Sequence, residues 1–259
     1  MENDIYKVLS NIKEDFYDPF QGGELEKFVF CPSKRIRSRL SLMIVKAMNN
    51  GEVPDVVYSV LATGELVHNA SLLHDDVLDN ASKRRGQKTL NSLFGTKSAI
   101  LAGDYLLSLS MKKLEKVNNA EVASLFRKCM SDMILGEISQ SFLKGSVPSE
   151  QEYLDICTKK TAVLFRTMVE SSMILIEKNS QDMISFAELF GIYFQIKNDI
   201  EDFSAQADRQ NGVHTAFDVW GIEKTKALLD NYEEEMRCLL NNIPNKIYEK
   251  QLRDLLKEI

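Results

Sequence analysis

The chain has 259 residues, with 38 Asp+Glu against 32 Lys+Arg and three histidines, for a formal net charge of −6. That balance excludes a general nucleic-acid binder, and 44% hydrophobic with 27% charged residues excludes disorder and collagen-like repeats. The four cysteines, Cys31, Cys129, Cys157 and Cys238, form no C-x-x-C pair and sit beside no histidine at zinc-ligand spacing, so a reduced, cytoplasmic compartment is expected.

The first residues, MENDIYKVLSNIKEDFYD, mix both charges and lack the apolar segment of a secretion signal. Nothing later approaches the roughly 18 uncharged apolar residues of a membrane span, so a soluble chain without stable membrane insertion is expected. Proline stands only at 19, 32, 54, 148 and 244, which leaves long stretches free for helix. After Pro32 comes the basic run Lys34-Arg35-Ile36-Arg37. Beyond the Asn49-Asn50-Gly51 break, Val57, Val60, Leu61, Leu66, Val67, Ala70, Leu73 and Val77 recur at three- and four-residue steps, the period of a helix. Later breaks are short: Lys83 to Gly86, Asn118-Asn119, Gly145 to Pro148, Asn179-Ser180 and Ser204 to Gly212. The expectation is an all-α chain without strands, one domain of about ten helices.

No G-x-x-x-x-G-K-S/T or G-x-G-x-x-G loop occurs, so any phosphate chemistry must use side chains and metal. The informative segment is Glu65-Leu-Val-His68-Asn-Ala-Ser-Leu-Leu-His-Asp75-Asp76-Val-Leu-Asp79. On a helix, Asp79 lies one turn above Asp75 and His68 two turns below it, forming one polar stripe. No Lys or Arg occurs between Lys46 and Lys83, so these carboxylates repel one another unless a cation arrives. A second cluster, Asn198-Asp199-Ile-Glu201-Asp202, repeats the arrangement downstream. Two such helices facing each other would make an oxygen-lined cavity for hard cations, with Mg²⁺ favoured. Arg84-Arg85-Gly86 and Lys160-Thr161 add cations suited to diphosphate.

With these clusters in this order, followed along the chain by Phe94-Gly95, Gly103-Asp104, Ile134-Leu-Gly136-Glu137 with Gln140, Lys160-Thr161-Ala162 and Phe194-Gln195-Ile196, the sequence resembles the trans-type isoprenyl diphosphate synthases, the polyprenyl synthetase family, from Lys34 to Thr215. The resemblance implies a single helical bundle of the isoprenoid synthase type around a central cavity, usually a homodimer. It implies that Asp75, Asp79 and Asn198 hold Mg²⁺, and that Lys34, Arg37, His68 and Arg85 bind isopentenyl diphosphate. Arg84, Lys160, Thr161 and Gln195 then contact the allylic diphosphate, with Lys160, Thr161 and Gln195 catalytic. The implied reaction condenses isopentenyl diphosphate with farnesyl or geranylgeranyl diphosphate to a longer all-trans polyprenyl diphosphate. Small residues at Ala70 and Ser71, below Asp75, imply a deep product tunnel and a product longer than farnesyl; a bulky residue at Ala70 should shorten it.

The chain departs from the family pattern in four places. Ser33 and Ser38 replace Gly and Pro, a change in loop stiffness more than in charge, with little effect expected. Asn198 replaces an aspartate, and Asn211-Gly-Val213-His214-Thr215 lacks the expected lysine. The C-terminal part after Trp220-Gly221 is read as shortened to one amphipathic helix pair. The last three departures point to the alternative of a non-catalytic or regulatory subunit of a heteromeric prenyl synthase. A class I terpene cyclase is disfavoured because its second metal motif needs Ser or Thr and Glu where this chain has Asp202 and Gln206. A ferritin-like di-metal bundle is disfavoured because Glu65-x-x-His68 has no second copy.

Overall fold

The computed structural model describes residues 1–143, 145–205 and 214–259, and the side chains of all of these except 202–205. In chain order it contains α1 (Glu2–Lys13), a 3-10 turn (Gln21–Gly23), α2 (Glu24–Val29), α3 (Ile36–Met48), α4 (Asp55–Leu78), β1 (Lys83–Arg84), β2 (Gln87–Lys88), α5 (Leu90–Phe94), α6 (Thr96–Val117), α7 (Ala120–Phe142), α8 (Glu150–Cys157), a π turn (Thr158–Ala162), α9 (Val163–Leu175), α10 (Gln181–Ala205), α11 (Ala216–Leu240) and α12 (Lys246–Glu258). Among the described residues the chain is all-α apart from one antiparallel hairpin, which pairs Lys83 with Lys88 and Arg84 with Gln87. The sequence reading missed it because strands of two residues are too short for alternation to register. Its turn residues Arg85 and Gly86 both have positive φ, 50° and 78°, as a two-residue type I′ turn requires. No helix among the described residues is long and apolar enough to cross a membrane.

The chain divides into two compact units, Met1–Arg39 with Pro54–Ala123, and Leu40–Val53 with Ser124–Ile259. The first is built on α4, which packs on α6 and α1, while α5 packs on α6. From Val57 to Ala70, α4 buries residues on nearly every side, the mark of a central helix. Its end is closed by Asn80 in the left-handed region (φ 50°). The N–H of Ala81 bonds to Asp76 O and that of Asn80 to Val77 O, a Schellman motif that stops the helix just below Asp79. On α6, a Cβ at Gly103 would stand 2.2 Å from His74 Nε2, so only glycine leaves room for that imidazole against the helix.

The second unit is built on α10, which packs on α8, α9, α11 and the π turn. Phe165 on α9 meets Phe190 and Phe194 of α10 at centroid distances of 5.3 and 5.7 Å. The π turn is held from two sides by close backbone approach. A Cβ at Gly191 of α10 would stand 2.4 Å from Ala162 Cα, and one at Gly136 of α7 would stand 2.9 Å from Lys160 N. Capping fixes the neighbouring helices: Ser149 and Glu152 form a capping box at α8, and the Asp218 carboxylate accepts from the N–H and hydroxyl of Thr215 at α11. Met236, Leu240, Leu252, Leu255 and Leu256 are buried along α11 and α12, the expected amphipathic pair.

Gly191→Ala should overpack the junction with Ala162 at a cost of about 1–3 kcal/mol. A drop in Tm of about 2–4 °C per kcal/mol is expected in thermal melts followed by circular dichroism. An unchanged Tm would show that α10 and the π turn are not in backbone contact.

Candidate active site

In the first unit, the basic run after Pro32 separates into residues with different tasks. Arg35 has a positive φ of 46° and turns its guanidinium inward. Its Nη1 donates to Glu65 Oε2 at 2.8 Å, and its Nη2 donates to the carbonyls of Val29 (2.7 Å) and Cys31 (3.2 Å). Ser38 Oγ donates to Glu65 Oε1 at 2.6 Å. Ser38 therefore does more than alter loop stiffness: it is the second donor to a carboxylate that is only 2% exposed. Removing Arg35 would strand that buried charge, a loss of about 3–5 kcal/mol.

Arg37 turns to a different partner. Its Nη1 lies 3.2 Å from His68 Nε2. A guanidinium can only donate, so Nε2 accepts and the ring proton sits on Nδ1. Burial, then the positive fields of Arg37, Arg85, Arg35 and Arg84, hold the His68 pKa well below its ordinary value, so the imidazole is neutral. Arg37, His68 and Arg85 are thus brought together, while Lys34 is exposed on the preceding loop. Arg84 and Arg85 also line a cleft with Lys88, Phe28, Leu90 and Leu93, in which cations and apolar walls alternate.

At the far end of α4, Asp79 is the C-cap and its N–H bonds to Asp75 O at 2.9 Å, which keeps the two residues one turn apart. Asp76 is 1% exposed, and its Oδ1 accepts from Arg84 Nε at 2.7 Å. Burial raises the Asp76 pKa and the Asp79 charge adds to this, while Arg84 opposes it. The hairpin therefore supplies the cation that the sequence between Lys46 and Lys83 lacks. Asp76 Oδ2 has no partner. Among the described residues, no three His, Cys, Asp or Glu side chains converge on one ion position. Two hard-oxygen carboxylates at the negative end of a helix dipole fit Mg²⁺, which binds through one or two carboxylates and leaves its remaining positions to phosphates and water. Of the two chain-length residues, Ala70 is fully buried, whereas Ser71 keeps partial exposure and its hydroxyl donates to His68 O at 2.9 Å.

In the second unit, Lys160 and Thr161 lie in the π turn, a widened turn that often marks functional positions. Lys160 Nζ contacts Gln140 Oε1 at 2.7 Å and Glu137 Oε2 at 2.6 Å. Thr161 Oγ1 donates to Gln195 Oε1 at 2.7 Å. Gln195 Nε2 donates to Asp199 Oδ1 at 2.8 Å, and Asp199 Oδ2 accepts from the Tyr153 hydroxyl and from Ala216 N at 3.1 Å. Burial and the Asp199 charge push the Tyr153 pKa well up, so its phenol stays protonated as a donor. Thr161 and Gln195 are joined beside Lys160; Asp199, expected from its cluster to face a cation, instead turns both oxygens to protein donors, and Tyr153 was not foreseen. Asp199 continues the buried spacing Ile192, Ile196, which was the available signal; Tyr153 had none. Asn198 is partly exposed beside Asp199. The Asp202 side chain and Asn211 to Val213, where a lysine was expected, lie outside the described residues. His214 is half-buried, with Nε2 lacking a partner.

Because folded His68 stays neutral where the unfolded chain takes up a proton, its contribution is intact above its ordinary pKa of about 6.5 and is lost as pH falls through that value. His68→Gln should flatten this part of the acid limb in urea melts repeated across that range. An acid limb identical to wild type would contradict a neutral, buried His68.

Residues 23–257 match the polyprenyl synthetase family. A prenyl transferase of Porphyra purpurea is 31% identical over 232 residues, which cover 83% of this chain and 72% of that protein. The structure of a geranyltranstransferase from Thermotoga maritima matches with a TM-score of 0.83 at 27% identity, over 100% of this chain and 99% of that one. A geranyltransferase of Helicobacter pylori, complexed with magnesium and isoprenyl diphosphate, shares the fold with a TM-score of 0.80 at 20% identity, over 99% of this chain and 95% of that one. The chain belongs to the polyprenyl synthetase family.

Proposed function

We propose that this polyprenyl synthetase is a prenyltransferase that condenses isopentenyl diphosphate with farnesyl or geranylgeranyl diphosphate, extending the all-trans chain and releasing pyrophosphate. The observation that carries this reading is the pair of opposite demands along α4: carboxylates at its C-terminal end that call for cations, and a neutral His68 among guanidiniums that calls for an anion. A cyclase has no use for the second feature.

In this reading Arg37, His68, Arg85 and the exposed Lys34 take isopentenyl diphosphate. Arg84, whose Nε holds Asp76, offers the rest of its guanidinium to the allylic diphosphate together with Lys160, Thr161 and Gln195. Asp75 and Asp79 would hold Mg²⁺, with Asn198 lending an amide oxygen to a further ion; when bound, the metal neutralises charge on the departing diphosphate. The allylic carbon–oxygen bond breaks and pyrophosphate leaves with the electron pair. The isopentenyl double bond attacks the carbocation, and a proton is lost. Pre-placed cations at the leaving group and polar oxygens near the carbocation lower the barrier because they need no reorganisation as charge develops. The family match across both units supports a single functional domain. The exposed apolar residues Ile134, Ile138 and Phe142, one turn apart on α7, support burial against a second copy in a homodimer. The cysteine pattern supports a reducing, cytoplasmic setting.

The purified protein alone, given Mg²⁺, labelled isopentenyl diphosphate and farnesyl or geranylgeranyl diphosphate, should form longer prenyl diphosphates that are sized by chromatography. A folded, homogeneous sample that elongates neither allylic substrate would defeat the proposal in favour of the partner-subunit alternative. Asn198→Asp should lower the Mg²⁺ concentration giving half-maximal rate, since it restores a carboxylate ligand.

Chain length provides a separate check. Ser71→Phe places a ring on the partly exposed side of α4 and should shift products to shorter chains, whereas Phe at the fully buried Ala70 would instead overpack the core. An unchanged product distribution in folded Ser71→Phe would remove Ser71 from the tunnel floor.

A further inference from the structure

The second acidic cluster contains one carboxylate that does not behave as a ligand. Asp199 is 5% exposed, and both of its oxygens already face protein donors: Gln195 Nε2 on Oδ1, and the Tyr153 hydroxyl with Ala216 N on Oδ2. Tyr153 is itself held edge-on by Trp220, with ring centroids 5.0 Å apart and planes at 82°. Rotating this buried carboxylate toward a metal would break these three bonds.

We propose that Asp199 is a positioning residue for the prenyl-transfer site, acting through Gln195, with Tyr153 as its brace. The Gln195 amide could sit either way round. By taking Nε2, Asp199 forces Oε1 toward Thr161, whose hydroxyl donates to it at 2.7 Å. The Thr161 proton is thereby committed, and the hydroxyl oxygen is held at a fixed place in the π turn next to Lys160. The bond to Ala216 N ties the same carboxylate to the first turn of α11, so the turn, α10 and the start of α11 share one anchor. The inference rests on the reading of Gln195 and Thr161 as groups that meet the allylic substrate.

A double-mutant cycle tests it. An asparagine at 199 has one accepting oxygen and cannot serve all three donors. Asp199→Asn should therefore lower kcat on the order of 10–100-fold, the usual loss when a buried partner of a functional group is removed. It should leave the KM for isopentenyl diphosphate and the Mg²⁺ half-saturation as in wild type. In a Gln195→Ala background it should cause no further loss, because the group it positions is gone. Tyr153→Phe, which keeps the Asp199 to Gln195 bond, should give a smaller loss that also vanishes in that background, and it carries the test if Asp199→Asn fails to fold. Losses that multiply through the Gln195→Ala background would reduce Asp199 to a purely structural role and overturn the proposal, as would a shifted Mg²⁺ requirement, which would make it a ligand. A Gln195→Ala enzyme with wild-type kcat would overturn the assignment of Gln195 itself, and the positioning role with it.

Discussion

A carboxylate can be buried only where enough donors meet its charge, and in each unit a site rests on one that satisfies this condition. Glu65 is held by Arg35 and Ser38, and Asp199 by Gln195, Tyr153 and Ala216 N. Each is strongly coupled to a residue that binds nothing unless it is aimed. Glu65 draws Arg35 inward and fixes the loop from which Arg37 reaches His68. Asp199 orients the Gln195 amide toward Thr161. Loss of either carboxylate would leave its donors unsatisfied in the interior, where an unmade hydrogen bond costs about 1–3 kcal/mol and more when the stranded group is charged.

Backbone proximity is the second constraint on the second unit. The π turn gives Lys160 and Thr161 a local geometry that a regular helix lacks, and such widened turns are rare and frequently mark functional positions. Gly136 and Gly191 let α7 and α10 touch the turn without intervening side chains. The Glu137 and Gln140 contacts to Lys160 follow from the α7 approach, since those residues lie one and four positions past Gly136. The glycine and the polar residues of that segment therefore serve one purpose.

Much of this was legible in the sequence, for identifiable reasons. The all-α class followed from periodicity at Val57, Val60, Leu61, Leu66, Val67, Ala70 and Leu73, all of which are buried. The acidic stripe and its lack of nearby sequence cations identified the end of α4, yet its true first partner, Arg84, was read only as a substrate ligand, because a two-residue hairpin that folds it back onto Asp76 leaves no periodic trace. Ser38 was misjudged because a hydroxyl's partner is set by tertiary placement. Tyr153 was invisible because nothing local distinguishes a buried tyrosine that braces a carboxylate from one that fills a core.

Charge along α4 connects these points to chemistry. Its C-terminal end gathers Asp75, Asp76 and Asp79 where the helix dipole is also negative, and Arg84 offsets one of the three. Two turns earlier, roughly 10 Å away at 1.5 Å per residue, His68 stays neutral under four guanidiniums, two of which, Arg35 and Arg84, pair with Glu65 and Asp76. One helix thus carries carboxylates at its end and a neutral imidazole among guanidiniums in its middle, and the two regions stay distinct because Arg35 and Arg84 are held by Glu65 and Asp76.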